Sequence, residues 1–205
     1  MIFVTVGTQL PFDRMVRAID AWAGRLNRDD VFAQIGPTEF RPGHLQWAQF
    51  LPADQCRQKV EQASVVVAHA GMGTIITAWE LGKPIIVMPR RADLGEHRNE
   101  HQLATAKRFQ AQGRIVVAFD EAQLVEKLDQ LGSLHASQRI SSQASPRLLN
   151  TIRAFCKGED VLSRLRSEGM PAEPAAAGRP DVNVEAGKAK ELAHSATGGW
   201  SDGQR

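Results

Sequence analysis

The sequence predicts an α/β fold built on an open parallel sheet, and three features carry that prediction. Short apolar or β-branched runs alternate with stretches of helical periodicity. The connections between them are a few residues long, so successive strands lie parallel with helices on both faces. The run SVVVAHA (64–70) is apolar without alternation, as a strand covered on both faces must be.

Each element follows in order. IFVTV (2–6) is β-branched and closed by Gly7, which gives a first strand and a turn. Pro11 can open a helix, and Phe12, Met15, Val16, Ile19 and Trp22 then recur at helical spacing to about Leu26. VFAQIG (31–36) is a second strand, and LQWAQFL (45–51) a weaker third. Pro52–Ala63 is helical, with Cys56, Val60 and Ala63 on one face. After strand 64–70 comes a helix from about Met72 to Leu81, ended by Gly82. PIIVMP (84–89) is another buried strand, and RRADLGEHR (90–98) a polar loop. Asn99 is placed to cap a helix that runs to about Gln112 and stops at Gly113. RIVVAF (114–119) reads as a strand, and Asp120 as the cap of a helix through Leu131. A last helix, Pro146 to about Lys157, carries Leu148, Leu149, Ile152 and Phe155.

The folded domain is therefore expected over 1–157, with 158–205 as a C-terminal tail. From about Glu168 the chain turns rich in Ala, Gly and Pro. Met170, Val182, Val184, Leu192 and Trp200 cannot offset an ordering entropy of about 1–2 kcal/mol per residue, so that stretch is expected to be disordered. There is no internal repeat.

Composition removes several classes of function. A formal net charge of +2 is too mild to argue for nucleic acid, and the absence of Tyr disfavours a stacking platform for single-stranded bases. Cys56 and Cys156 belong to no CxxC pair or Cys/His cluster, so both read as reduced, mostly buried thiols. The opening MIFVTVGTQLPF lacks a basic leader and a small-residue cleavage site, so no signal peptide is expected. No apolar run approaches the roughly 18 residues of a spanning helix. The expected protein is soluble, and its membrane contact is peripheral or through a partner.

The chemistry concentrates at HAGMGT (69–74). A strand ends, the chain turns through Gly71 and Gly73, and a helix begins. The first helical turn offers unpaired N–H groups and positive partial charge, glycines admit an anion close to the backbone, and Thr74 adds a hydroxyl. That is a diphosphate cradle. The same glycines serve equally in a tight, closely packed strand-to-helix turn. A Walker A loop is absent, and strand 1 is followed by GTQLPF rather than a dinucleotide fingerprint. Gly7-Thr8-Gln9 and Arg90-Arg91 fall at the same sheet edge as the cradle. Arg90, Arg91 and Arg98 could clamp a phosphate or a carboxylate, or form a solvated basic loop. His97 and His101 have a zinc-compatible spacing but no third ligand nearby, and no Asp-x-Asp motif follows a strand, so no metal is expected.

The pattern H-A-G-M-G-T…G-K-P-I-I-V-M-P…N-E-H-Q resembles the donor-binding half of family 28 glycosyltransferases, GT-B enzymes that use UDP-sugars. MIFVTVGTQLPFDRMV resembles the start of stand-alone halves: the small subunit type of the dolichol-pathway GlcNAc transferase, and most closely the PssE-type subunit of bacterial exopolysaccharide transferases. The resemblance spans roughly 1–155 and is most specific in 64–102. It implies a single Rossmann-like GT-B half-domain. It implies that Gly71, Met72, Gly73 and Thr74 hold the UDP diphosphate, that His69 touches phosphate or is instead a satisfied histidine at a strand end, and that Gly7 and Thr8 face the cleft. It assigns sugar recognition to Glu96, His97, Asn99, His101 and Gln102, of which His101 and Gln102 match the family's His-Gln pair best and Asn99 can equally be a cap. One position departs from the family. The ribose-binding glutamate expected five residues before Gly82 is Thr77, and Glu80 lies three residues later, as a displaced ribose ligand or a partner for Lys83.

The implied reaction is metal-independent, inverting transfer of a glycosyl group from a UDP-sugar, with no cofactor. The implied partner is a membrane-associated, acceptor-binding glycosyltransferase subunit that presents a lipid-linked saccharide and supplies the catalytic base. The implied location is cytoplasmic, at the inner face of the membrane through that partner, in exopolysaccharide synthesis. Two rivals stay open: a non-catalytic scaffold or regulatory subunit, and a sugar-nucleotide epimerase-like protein, which requires a second domain in the same chain.

Overall fold

The computed structural model describes residues 1–136 and 138–161. The expected tail disorder beyond 168 lies outside the described residues. The chain divides into a unit spanning 1–144 and a second that begins at Ser145.

The first unit contains β1 (Ile2–Thr5), α1 (Asp13–Arg25), β2 (Val31–Gln34), β3 (Gln46–Ala48), α2 (Ala53–Gln62), β4 (Val65–His69), α3 (Met72–Leu81), β5 (Ile85–Met88), α4 (His101–Ala111), β6 (Val116–Val117) and α5 (Glu121–Asp129). All pairings are parallel, in the order β3-β2-β1-β4-β5-β6. The chain builds outward from β1 to β3, then crosses back to place β4 on the other side of β1. The β1–β4 seam is thus the switch point, where the loops leaving the two strands diverge and open a crevice.

Alternation along the strands divides the core in two. Ile2, Val4, Val65, Val67, Ile86 and Met88 face Met15, Val16, Ile19 and Trp22 of α1 and Leu124 and Leu128 of α5. Phe3, Val66, Ala68, Ile85 and Val87 face Val60 of α2, Ile75, Ala78 and Trp79 of α3, and Ala106 of α4. The continuous apolar run of β4 follows from this two-sided burial, since each alternate residue meets a helix layer. Gly82 ends α3 at φ 65°, a left-handed conformation that glycine adopts without a Cβ penalty.

Several element boundaries differ from the sequence expectation: β2 and β3 are shorter than 31–36 and 45–51, α5 ends at Asp129 rather than Leu131, and β6, α4 and α1 also depart from it. RIVVAF forms only the two-residue β6: Arg114 N–H closes the end of α4 on the Phe109 carbonyl, and Phe119 N–H is taken by Gln123 Oε1. The run is thus spent on both flanks, and beyond β6 it adds only Ala118 N–H to the Val87 carbonyl at 3.0 Å. Helix α4 begins at His101 with Glu100 in the capping position; Asn99 lies one residue earlier and accepts from His101 N–H at 3.3 Å. Helix α1 begins at Asp13, two residues after Pro11.

In the second unit, α6 (Pro146–Cys156) starts from Ser145, whose Oγ accepts from Leu148 N–H at 3.2 Å. Leu148, Leu149, Ile152 and Phe155 are exposed. Cys56 and Cys156 are free thiols; Cys56 is half-buried, but Cys156 is exposed on α6 rather than buried. Among the described residues, no helix is long and apolar enough to cross a membrane.

Candidate functional site

A cleft of about 730 Å³ opens at the carboxyl ends of β1 and β4. One wall is the loop from Gly7 to Leu10. The opposite wall is His69, Gly71, and Met72, Gly73 and Thr74 in the first turn of α3. Arg90, His97, His101 and Gln102 close a third side. Eleven of the sixteen residues expected at the site therefore share one cavity: Gly7, Thr8, His69, Gly71, Met72, Gly73, Thr74, Arg90, His97, His101 and Gln102. Thr77, Glu80, Arg91, Glu96 and Asn99 do not line it.

The α3 N-terminus is open. No side chain caps it, its first turn holds no acid, and the first intrahelical bond is Ile75 N–H to the Gly71 carbonyl. The three N–H groups ahead of Ile75 are those that a helix cannot satisfy internally. A Cβ on Gly73 would meet no heavy atom within 4 Å, so nothing in the fold requires glycine there. The cost of glycine in a helix, about 1 kcal/mol relative to alanine, is thus not offset by packing.

His69 stands between the walls. A Cβ built on Gly7 would come 2.7 Å from its Cε1, and one built on Gly71 would come 2.2 Å from its Nε2. Its Nδ1 is buried and has no hydrogen-bond partner among the described residues. Burial, helped by the nearby Arg90 charge, depresses its pKa to about 4. The ring is therefore neutral near pH 7 and brings no positive charge to the cleft. The unfolded chain takes up this proton near 6.5 and the folded one only near 4. Stability is then whole above pH 6.5 and falls as pH drops toward 4, by up to about 3 kcal/mol. Thermal melts at pH 7 and pH 4.5 should show this loss, and His69→Gln should remove much of it; an undiminished loss in the variant would assign the effect elsewhere.

The arginines do not form the expected clamp. Arg90 is 2% exposed, and its guanidinium donates to the backbone carbonyls of Val6 (2.8 Å), Leu10 (2.6 Å), Pro11 and Glu96 (3.4 Å). It is a bracket for the 6–11 loop. Arg91 pairs with Asp93 at the surface, on a different cavity, and Arg98 is exposed. Glu96 is also structural. Its two oxygens accept from Arg14 Nε (2.8 Å) and Nη2 (2.9 Å), and Oε2 takes Arg91 N–H as well (2.9 Å). The 90–98 loop is thereby tied to α1.

Gln102 clips the sheet. Its Oε1 accepts from Ala70 N–H (3.2 Å) and from Arg90 N–H (3.1 Å), the first free donors beyond β4 and β5. His97 Nδ1 lies 3.0 Å from the Asn99 carbonyl oxygen, so the two residues brace one turn. His101 is exposed at the cleft.

Neither ribose candidate reaches the cleft. Thr77 Oγ1 donates back to the Gly73 carbonyl at 2.9 Å. Glu80 pairs with Arg57 at 3.1 Å rather than with Lys83, whose ammonium donates to the Ala63 carbonyl. No Asp or Glu is among the lining residues. An acid-free cavity with an open helix N-terminus favours an anionic ligand.

Sequence reasoning missed the floor. Thr5 Oγ1 accepts Gly7 N–H (3.2 Å) and Gln34 Nε2 donates to the Gly7 carbonyl (3.1 Å), which fixes both sides of that turn. The available signal was a polar residue ending each of two otherwise apolar strands, IFVT and VFAQ.

Fold and cleft together define an α/β domain with an open cleft at the switch point of a parallel sheet. The chain belongs to glycosyltransferase family 28: the family's C-terminal domain matches residues 1–150, which makes this a GT-B C-terminal half-domain. It is similar to the UDP-N-acetylglucosamine transferase subunit ALG13 of mouse, 28% identical over 123 residues, covering 55% of this chain and 10% of that protein. The human ALG13 subunit is 27% identical over 124 residues, at 56% and 10% coverage. The chain thus spans about a tenth of the length of these curated relatives. A putative UDP-N-acetylglucosamine 2-epimerase from Listeria monocytogenes shares the fold, with TM-score 0.51 and 13% identity over 78% of this chain and 45% of that one.

Proposed function

We propose that this chain is the donor-binding subunit of a two-subunit glycosyltransferase, of the PssE type in bacterial exopolysaccharide synthesis, and that its cleft holds a UDP-sugar. The observation that carries this reading is the acid-free cleft built around the uncapped N-terminus of α3, with Gly73 facing open space. Similarity to a UDP-N-acetylglucosamine transferase subunit supports the nucleotide. In the reaction, an acceptor hydroxyl oxygen attacks the anomeric carbon. The bond from that carbon to the UDP oxygen breaks, and the hydroxyl proton passes to a base. The first turn of α3 stabilises the charge that grows on the departing diphosphate. In this reading the base comes from a membrane-associated partner that presents a lipid-linked saccharide.

One observation favours the scaffold reading: no carboxylate lines the cleft, and Glu80 is engaged by Arg57. Calorimetric titration with UDP separates the two. Binding tighter than about 1 mM, roughly 4 kcal/mol, is expected of a donor site, and no heat at millimolar UDP with the partner present favours the scaffold. Thr77→Val and Glu80→Gln are expected to bind UDP as the wild type does. Weakened binding in either would bring that residue back to the ribose.

A further inference from the structure

Gly71 has no conformational reason to be glycine. Its φ of −85° and ψ of 128° are ordinary extended values that any residue adopts. What excludes a side chain is the His69 ring. The three nearest atoms to a Cβ at Gly71 are His69 Nε2 (2.2 Å), Cε1 (2.7 Å) and Cδ2 (3.0 Å). The three nearest to a Cβ at Gly7 are Cε1 (2.7 Å), Nε2 (2.9 Å) and Nδ1 (3.4 Å) of the same ring. One edge of one imidazole therefore touches two backbone turns, the turn leaving β1 and the turn that opens α3.

We propose that His69 is a positioning residue, a wedge that sets the spacing between the Gly7 turn and the α3 N-terminus and so the width of the diphosphate seat. This rests on the donor-site reading above. The ring packs between the turns with the Thr5 backbone as a polar neighbour, and its Nδ1 has no hydrogen-bond partner among the described residues. The Gly7 turn is fixed from the other side by Thr5 and Gln34, so the ring presses against a stiff support. On the α3 side, Gly71 N–H is bonded to the His69 carbonyl at 2.8 Å, which keeps that turn folded over the ring. Without the ring, both turns lose their common spacer, and the N–H groups of the first turn no longer meet an anion in a fixed geometry. The role requires bulk and shape, not charge.

The test is a double-mutant cycle on the full chain, read by thermal melting and by calorimetric titration with UDP well below every melting temperature. Gly71→Ala alone should destabilise the fold, because Cβ and ring overlap. In a His69→Ala background the same change should cost little, because the ring is gone. Gly7→Ala should cost stability in both backgrounds, since its φ of 77° strains any side chain. His69→Ala should weaken UDP binding by about tenfold while leaving the protein folded. His69→Gln, which keeps an N–H donor but not the ring, should be weakened similarly. If Gly71→Ala is equally harmful with and without His69, or if His69→Gln binds UDP like the wild type, the wedge is overturned. A wild type that fails to bind UDP removes the donor-site reading instead, and the melting cycle still decides whether the ring holds the turns apart.

Discussion

Arg90→Ala is expected to destabilise the first unit by about 3 kcal/mol, a fall in melting temperature of about 6–12 °C for a protein of this size. The guanidinium donates to four carbonyls, three of them in the 6–11 segment that forms one wall of the cleft. It also stacks 4.7 Å from the Phe12 ring. Hydrogen bonds from a charged donor contribute about 1.5–3 kcal/mol each, and returning a buried cation to water recovers part of their sum. Burial does penalise this cation: it lowers the Arg90 pKa to about 10, against the opposing pull of Glu96. Arg90→Lys should restore less than half of the loss, because one ammonium cannot span carbonyls that a planar fork reaches together. UDP affinity should fall in parallel with stability as the wall loosens. A variant that melts like the wild type but no longer binds UDP would instead make Arg90 a direct anion ligand.

Gly73→Ala is expected to act in opposite directions on fold and function. An added Cβ meets no protein atom, and alanine is the better helix former, so stability should rise by about 0.5 kcal/mol at this first-turn position. The same Cβ would project where an anion must approach the N–H groups of the first turn, so UDP affinity should fall by about tenfold or more. Melting and titration of one variant measure both. Unchanged affinity would mean that the diphosphate does not approach this face of the turn.

The parallel sheet, its two helix layers and the edge that carries the cleft were legible because burial imposes periodicity, and periodicity survives in a single sequence; the strand order was not. The continuous run of β4 announced a central strand, and HAGMGT announced an open helix start. What stayed hidden was the division of labour among polar side chains. Arg90, Glu96 and Gln102 have the residue types of ligand-binding groups, yet structural partners claim them: backbone carbonyls take Arg90, Arg14 and the Arg91 N–H take Glu96, and two backbone N–H groups take the Gln102 oxygen. Those partners lie up to 84 residues away in the chain, and no local pattern encodes them. Gly71 is the converse case. It read as room for phosphate or as close packing in a tight turn, and the packing neighbour, two positions earlier, is visible only once the ring is placed.

The clip made by Gln102 constrains how this cleft can drift in evolution. Two N–H groups point at one side-chain atom, which identifies that atom as the amide oxygen and leaves the NH2 as the end that can address a ligand. The oxygen belongs to the sheet, and the nitrogen is left to the cleft. A mutation that abandons the oxygen orphans two strand ends at once. The one substitution of equal reach that keeps an acceptor, glutamate, introduces negative charge into a cavity whose lining holds none. The cleft lining can therefore change at exposed neighbours such as His101 well before it can change at position 102.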